Sequence, residues 1–100
     1  MYGTIALMRP RPGQEDQLQA MFDRWWVERQ PNVRGAIAST MYRNKSNPAE
    51  LMVAVVFDSE ENYTANAEDP EQDRWYREMV QFLEGEPRWI DGEILSHKHV

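Results

Sequence analysis

The sequence predicts an α+β fold in which a four-stranded antiparallel sheet carries its helices on one face, the split-βαβ arrangement. Three observations lead there. Stretches rich in strand formers and stretches of helical periodicity follow one another in the order strand, helix, strand, strand, helix, strand. An Asn/Ser/Pro-bearing segment, "RNKSNPAE", joins the two middle strands as a hairpin. Right-handed crossovers then place both helical units on the same side of the sheet.

Each element has its own justification. "YGTIALMR", residues 2–9, is a strand halted by "PRPG". From Gln14 to Arg29, Leu18, Met21, Phe22 and Trp25 share one helical face while Glu15, Asp16, Gln19 and Asp23 face water, and the helix ends before Pro31. "AIASTMY" (36–42) and "LMVAVVF" (51–57) are the second and third strands. Ser59 caps a short helix running to about Glu68. Asp69 then caps another, with Pro70 in its first position and Gln72 completing a capping box. Two short helices therefore replace one long one. The second presents Trp75, Tyr76, Met79, Val80, Phe82 and Leu83 as a broad apolar stripe that ends near Gly85 and Pro87. "RWIDGEILSH", residues 88–97, is the last strand. No repeat, low-complexity tract or linker divides the chain, so residues 1–100 are expected to form a single domain.

Bulk composition limits the function. Eleven basic side chains against 17 acidic ones leave a net charge of −6, with no Lys/Arg cluster, so nucleic acid is not an expected partner. There is no cysteine, and hence neither a disulfide framework nor a thiolate site. Residues 1–9 lack the apolar core of a signal peptide, and no apolar run approaches the roughly 20 residues that span a bilayer. A soluble cytoplasmic protein with no membrane partner is the expectation. "HKH", 97–99, places two histidines on one side of an extended chain, but two ligands without a third or fourth make a weak metal site, and no metal or other cofactor is expected. Arg9, Arg11, Arg24, Arg29 and Arg43 read as scattered surface charges.

The third strand carries the quaternary expectation. Leu51, Val53, Val55 and Phe57 point one way and Met52, Ala54 and Val56 the other, so neither face is polar. Helices cover one face. A second copy of the chain, sheet against sheet, is the expected cover for the other, giving a homodimer.

"MYGTIALMRPRPGQEDQL", "ELMVAVVFDSEENYTANAEDPEQDRWYREM" and "PRWIDGEI" together resemble the antibiotic biosynthesis monooxygenase (ABM) domain of the dimeric α+β barrel group. The resemblance covers nearly the whole chain in layout and in weak motifs, without a catalytic signature. It implies a ferredoxin-like subunit, two of which join through their sheets into a barrel, with a small pocket between sheet and helices. It also implies cofactor-free oxidation of quinols or polycyclic phenols by dioxygen, or in other members haem binding and degradation. Many members carry a histidine at the end of "S-x-E-x-x-x-x-H"; here that stretch reads "SEENYTAN" and ends in Asn66, so a histidine mechanism and haem ligation from this helix are not expected.

The helix break answers to this chemistry. Pro70 removes a backbone donor and disfavours helical geometry at Asp69, and the resulting bend leaves room beneath it. Asn66, Trp75 and Tyr76 are the candidate catalytic residues, the amide, indole N–H and phenol being able to hold a phenolate or peroxide oxygen. Tyr63, Met79 and His97 are the candidate substrate contacts. No base stands out in the sequence, because Glu68, Asp69, Glu71 and Asp73 are accounted for as helix-start and solvent-face charges. Trp25, Trp75 and Trp89 are expected in the core and Trp26 at its rim. The expected function is oxidation of a small aromatic or quinol-like molecule, against the alternative of a non-catalytic dimer that binds haem or another hydrophobic ligand.

Overall fold

The computed structural model describes all 100 residues. Along the chain it forms β1 (Tyr2–Met8), α1 (Glu15–Glu28), a 3₁₀ turn (Gln30–Asn32), β2 (Ala36–Arg43), β3 (Leu51–Phe57), α2 (Glu60–Ala67), α3 (Pro70–Val80) and β4 (Arg88–Glu93). The sheet order is β2-β3-β1-β4, with every neighbouring pair antiparallel. This is the ferredoxin-like α+β fold that the element order predicts. No helix is long and apolar enough to cross a membrane.

Local chemistry sets the boundaries. α1 opens with Glu15 and Asp16, whose charges suit the positive end of the helix dipole. It closes where the Arg29 N–H donates to the Trp25 carbonyl at 2.8 Å and Pro31 turns the chain. Gly35 begins the return to the sheet with φ at +84°, a region that side chains avoid, and a Cβ there would come within 2.3 Å of Asp58 Oδ1. Ser59 Oγ accepts from the Asn62 N–H at 3.2 Å and so caps α2.

The break before Pro70 forms as expected. Asp69 is extended (φ −70°, ψ 129°), as a residue before proline prefers, and its Oδ1 accepts from the Glu71 N–H at 2.8 Å. Gln72 does not complete a capping box; its side chain is drawn instead to α1, where indole and guanidinium donors lie within reach. α3 ends at Val80, five residues before Gly85, because the chain beyond it turns to pair with the segment after β1: Arg11 N–H donates to the Phe82 carbonyl at 2.7 Å and Glu84 N–H to the Arg9 carbonyl at 2.8 Å. β4 ends at Glu93, short of His97: a last bond from the Ile94 N–H to the Met1 carbonyl at 2.9 Å exhausts the pairing partners at the start of the chain.

The core lies between the sheet and the helices. Ala6 and Met8 of β1, Leu51 and Val53 of β3, Leu18 and Met21 of α1, Met79 of α3, and Leu83 form one buried cluster, with Phe22, Met41, Val55, Trp75 and Tyr76 packed against it. Registers align side chains in rows across the sheet. Facing the helices, Met41, Val53, Ala6 and Trp89 form one row and Ser39, Val55, Thr4 and Asp91 the next. On the outer face, Thr40, Ala54, Ile5 and Ile90 form a row beside Tyr42, Met52, Leu7 and Arg88. Trp89 is not a core residue: it sits on the edge strand and is 42% exposed.

Candidate functional site

A cavity of about 400 Å³ lies between the helix-facing rows of the sheet and the three helices. Of its 22 lining residues 16 are hydrophobic, so the polar groups among them are few enough to orient a ligand. Its floor is Thr4, Ala6, Val53, Val55 and Asp91 from the sheet; its walls are Phe22, Trp25 and Trp26 from α1, Tyr63, Asn66 and Ala67 from α2, and Gln72, Trp75 and Tyr76 from α3. The bend at Asp69-Pro70 lets α2 and α3 both look into it. Tyr63 and Asn66 are three residues apart on α2 and face the cavity from successive turns.

Trp75 is wedged edge-on against Phe22, ring centroids 5.1 Å apart, and its Nε1–H is buried without an acceptor. Buried indole N–H groups normally find a partner; this one has none and is covered by packed atoms, so Trp75 lines the cavity with the carbon face of its ring. Asn66 Oδ1 accepts from Arg29 Nη2 at 2.9 Å. Gln72 Oε1 accepts from Trp25 Nε1 at 2.9 Å and from Arg29 Nη2 at 3.4 Å. Both amide oxygens are thereby engaged on the α1 side, and both amide NH₂ groups remain as donors.

At the sheet the polarity reverses. Tyr63 packs edge-on against Phe57 with centroids 5.5 Å apart, and its hydroxyl donates to Asp91 Oδ1 at 3.0 Å. Burial pushes the Tyr63 phenol up to about 12, and the Asp91 carboxylate adds to the rise. Tyr63 therefore stays protonated at neutral pH and acts as a donor rather than a base. Thr4 Oγ1, opposite Asp91 in the register, is buried; it lies near enough to Tyr63 to affect the phenol but makes no hydrogen bond of acceptable geometry. Asp91 keeps further acceptor capacity beyond its bond to Tyr63. Asp73 also reaches the cavity rim, but its carboxylate is held by Arg77 Nε at 2.9 Å.

Four of the six residues singled out from the sequence, Tyr63, Asn66, Trp75 and Tyr76, line this cavity together. Tyr76 stands at the rim against Trp89, centroids 6.2 Å apart. Met79 does not: one turn beyond Trp75 it points into the core and is fully buried. His97 does not either, lying exposed beyond the end of β4. With no histidine in the lining, the cavity contains no imidazole ligand for haem iron. Arg29 is not a surface charge, since its side chain is only 15% exposed. It continues the stripe of Leu18, Phe22 and Trp25 at helical spacing, a signal present in the sequence. Asp91 and Thr4 had no such signal, because their meeting depends on the register between β1 and β4.

Neither a family model nor a curated protein matches the sequence significantly. Solved structures do match. An antibiotic biosynthesis monooxygenase structure superposes with a TM-score of 0.73 at 11% identity, over 96% of this chain and 100% of that one. A protein provisionally named an antibiotic biosynthesis monooxygenase from Caulobacter crescentus gives a TM-score of 0.81 at 14% identity, over 95% of this chain and 90% of that one. This chain has the ABM fold. A similarly named protein from Chloroflexus aurantiacus gives 0.75 at 21% identity, over 98% and 96% of the two chains, so the ABM likeness spans every element described above.

Proposed function

We propose that this ABM-fold protein is a cofactor-independent monooxygenase acting on a small aromatic or quinol-like molecule in the cavity between sheet and helices. The observation that carries the reading is a mostly apolar cavity of about 400 Å³ lined by both the Asn66 amide and the Asp91 carboxylate. Two or three fused rings suit a space of this volume. A phenol becomes a good reductant once its O–H proton is removed, and Asp91 is the carboxylate available to accept it. The Asn66 amide N–H groups would hold the resulting oxyanion. Dioxygen adds at a ring carbon bearing hydrogen, and loss of water leaves a quinone. One phenol and one dioxygen give one quinone and one water. The four electrons that reduce dioxygen all come from the substrate, so the chemistry requires neither flavin nor metal.

Dioxygen uptake with a panel of phenols and hydroquinones tests this. The expected result is saturable uptake, one dioxygen per quinone formed, without accumulation of hydrogen peroxide. Asp91→Asn, which retains an acceptor oxygen for Tyr63, is expected to slow turnover about tenfold, a small effect for a general base because water can replace a carboxylate at so exposed a position. Uptake at the background rate for every compound removes the enzyme reading. If those compounds still quench the tryptophans that line the cavity, the protein is a binder of hydrophobic ligands, the second reading, which the predominance of apolar lining favours.

We further propose that the protein works as a homodimer. The outer sheet face supports this: Ile5, Ile90 and Tyr42 are 49%, 46% and 53% exposed in neighbouring rows that also hold Met52, Ala54 and Leu7. Sedimentation equilibrium at high dilution is expected to return twice the chain mass of 11.8 kDa; a single-chain mass would count against it.

A further inference from the structure

The geometry points to Arg29 as a positioning residue: it holds the Asn66 amide, and with Trp25 Nε1 the Gln72 amide, with their oxygens toward α1, so that the two amide NH₂ groups form a donor-only cluster at one end of the cavity that selects a ligand with an anionic oxygen.

A buried guanidinium is costly, and an apolar residue would continue the α1 stripe without that cost. Nothing in the packing compensates Arg29 fully. Its nearest carboxylate oxygen, Asp69 Oδ2, is 3.9 Å from Nη1, beyond hydrogen-bond distance, and its Nε–H is buried with no acceptor. Its one short bond goes to Asn66 Oδ1, and a longer one goes to Gln72 Oε1. A primary amide can present either its oxygen or its nitrogen to the cavity at nearly equal steric cost. The guanidinium removes that choice, because a flipped amide would set NH₂ against five guanidinium donors. Arg29 does not itself line the cavity, so it acts through the two amides.

Neighbouring charges do not cancel this polarity. Asp73 is engaged by Arg77, Asp91 receives the Tyr63 hydroxyl, and Asp69 spends one oxygen capping α3. Hydrogen bonds to an ionised oxygen are about twice as strong as those to a neutral one, so a donor-only cluster discriminates in favour of phenolates and enolates over their ethers.

This inference rests on reading the cavity as the substrate site, and the test separates the two. The probes are 2-hydroxy-1,4-naphthoquinone, an enolate at neutral pH, and its uncharged methyl ether, 2-methoxy-1,4-naphthoquinone, with binding read by tryptophan fluorescence. The wild-type protein is expected to bind the enolate about tenfold more tightly than the ether. Arg29→Met is expected to lose that preference while binding the ether as before, which also reports that it is folded. Arg29→Lys, whose ammonium keeps the charge but not the planar fork, restores only part of the preference. A merely structural role would weaken both probes alike, and that result overturns the inference. Equal binding of both probes by the wild type overturns it and leaves the cavity as the ligand site. Binding of neither overturns it together with the proposed site.

Discussion

Asn66→Asp is expected to lower oxygen-dependent turnover by about 10²–10³-fold while leaving the protein folded. The substitution is nearly isosteric and retains the oxygen that accepts from Arg29 Nη2 at 2.9 Å. That bond becomes an ion pair, which offsets the unfavourable placement of a carboxylate near the C-terminal end of α2. What changes is the other terminal atom of the side chain. A nitrogen that donates to the bound oxyanion becomes an oxygen that repels it, and the site loses one of its few oriented donors. Asn66→Ala would also remove the donor, but it would strand the buried guanidinium and mix a folding defect with a catalytic one. The measurement is kcat by dioxygen uptake beside a thermal melt. A rate within twofold of wild type, at unchanged melting temperature, would show that the amide takes no part in the reaction.

Met79→Ala is the corresponding test of the frame. Its side chain is fully buried among Ala6, Met8, Leu18, Met21, Leu51, Val53 and Leu83, and truncation leaves a void that close-packed neighbours fill only in part. The expected loss is about 2–5 kcal/mol, which in a chain of this size lowers the melting temperature by roughly 10 °C or more. Because Met79 lies outside the cavity lining, the folded fraction at low temperature should retain its ligand affinity. Chemical denaturation with and without a naphthoquinone ligand separates the two quantities. Full stability with lost binding would return Met79 to the role of a substrate contact.

The fate of Met79 shows how far periodicity carries. Trp75, Tyr76, Met79 and Val80 form one stripe on α3, and the spacing identifies that stripe as the inward face without saying which of its members meets packed atoms and which meets empty space. Trp75 falls beside the cavity, and Met79 one turn later falls among the buried side chains of Leu18, Met21, Leu51 and Leu83. Trp89 teaches the same point. Its alternation with Asp91 is plain in the chain, but its exposure follows from β4 lying at the sheet edge.

The polar half of the site divides in a similar way. Tyr63, Asn66 and Trp75 were legible as a group because Asp69-Pro70 breaks the helix between them, and a proline break acts on its immediate neighbours. Arg29 was legible in principle, as a charge on an apolar stripe, since a long cation so placed must either reach water or find buried acceptors. Asp91 was not. Nothing near it in sequence distinguishes it from other strand carboxylates; its place beside Thr4 and under Tyr63 follows from a β1–β4 pairing between residues that lie far apart in the chain.

Short-range chemistry decided the order of strands and helices, the caps at Ser59 and Asp69, the break at Pro70 and the inward faces of the first and third helices. Those features depend on dihedral preferences and side-chain spacing within a few residues. Long-range packing alone decided that a cavity remains between helices and sheet, that Arg29 reaches Asn66 and Gln72, and that Asp91 meets Tyr63. Such contacts join residues dozens of positions apart, and their geometry is set by strand register and helix placement, which no local pattern specifies.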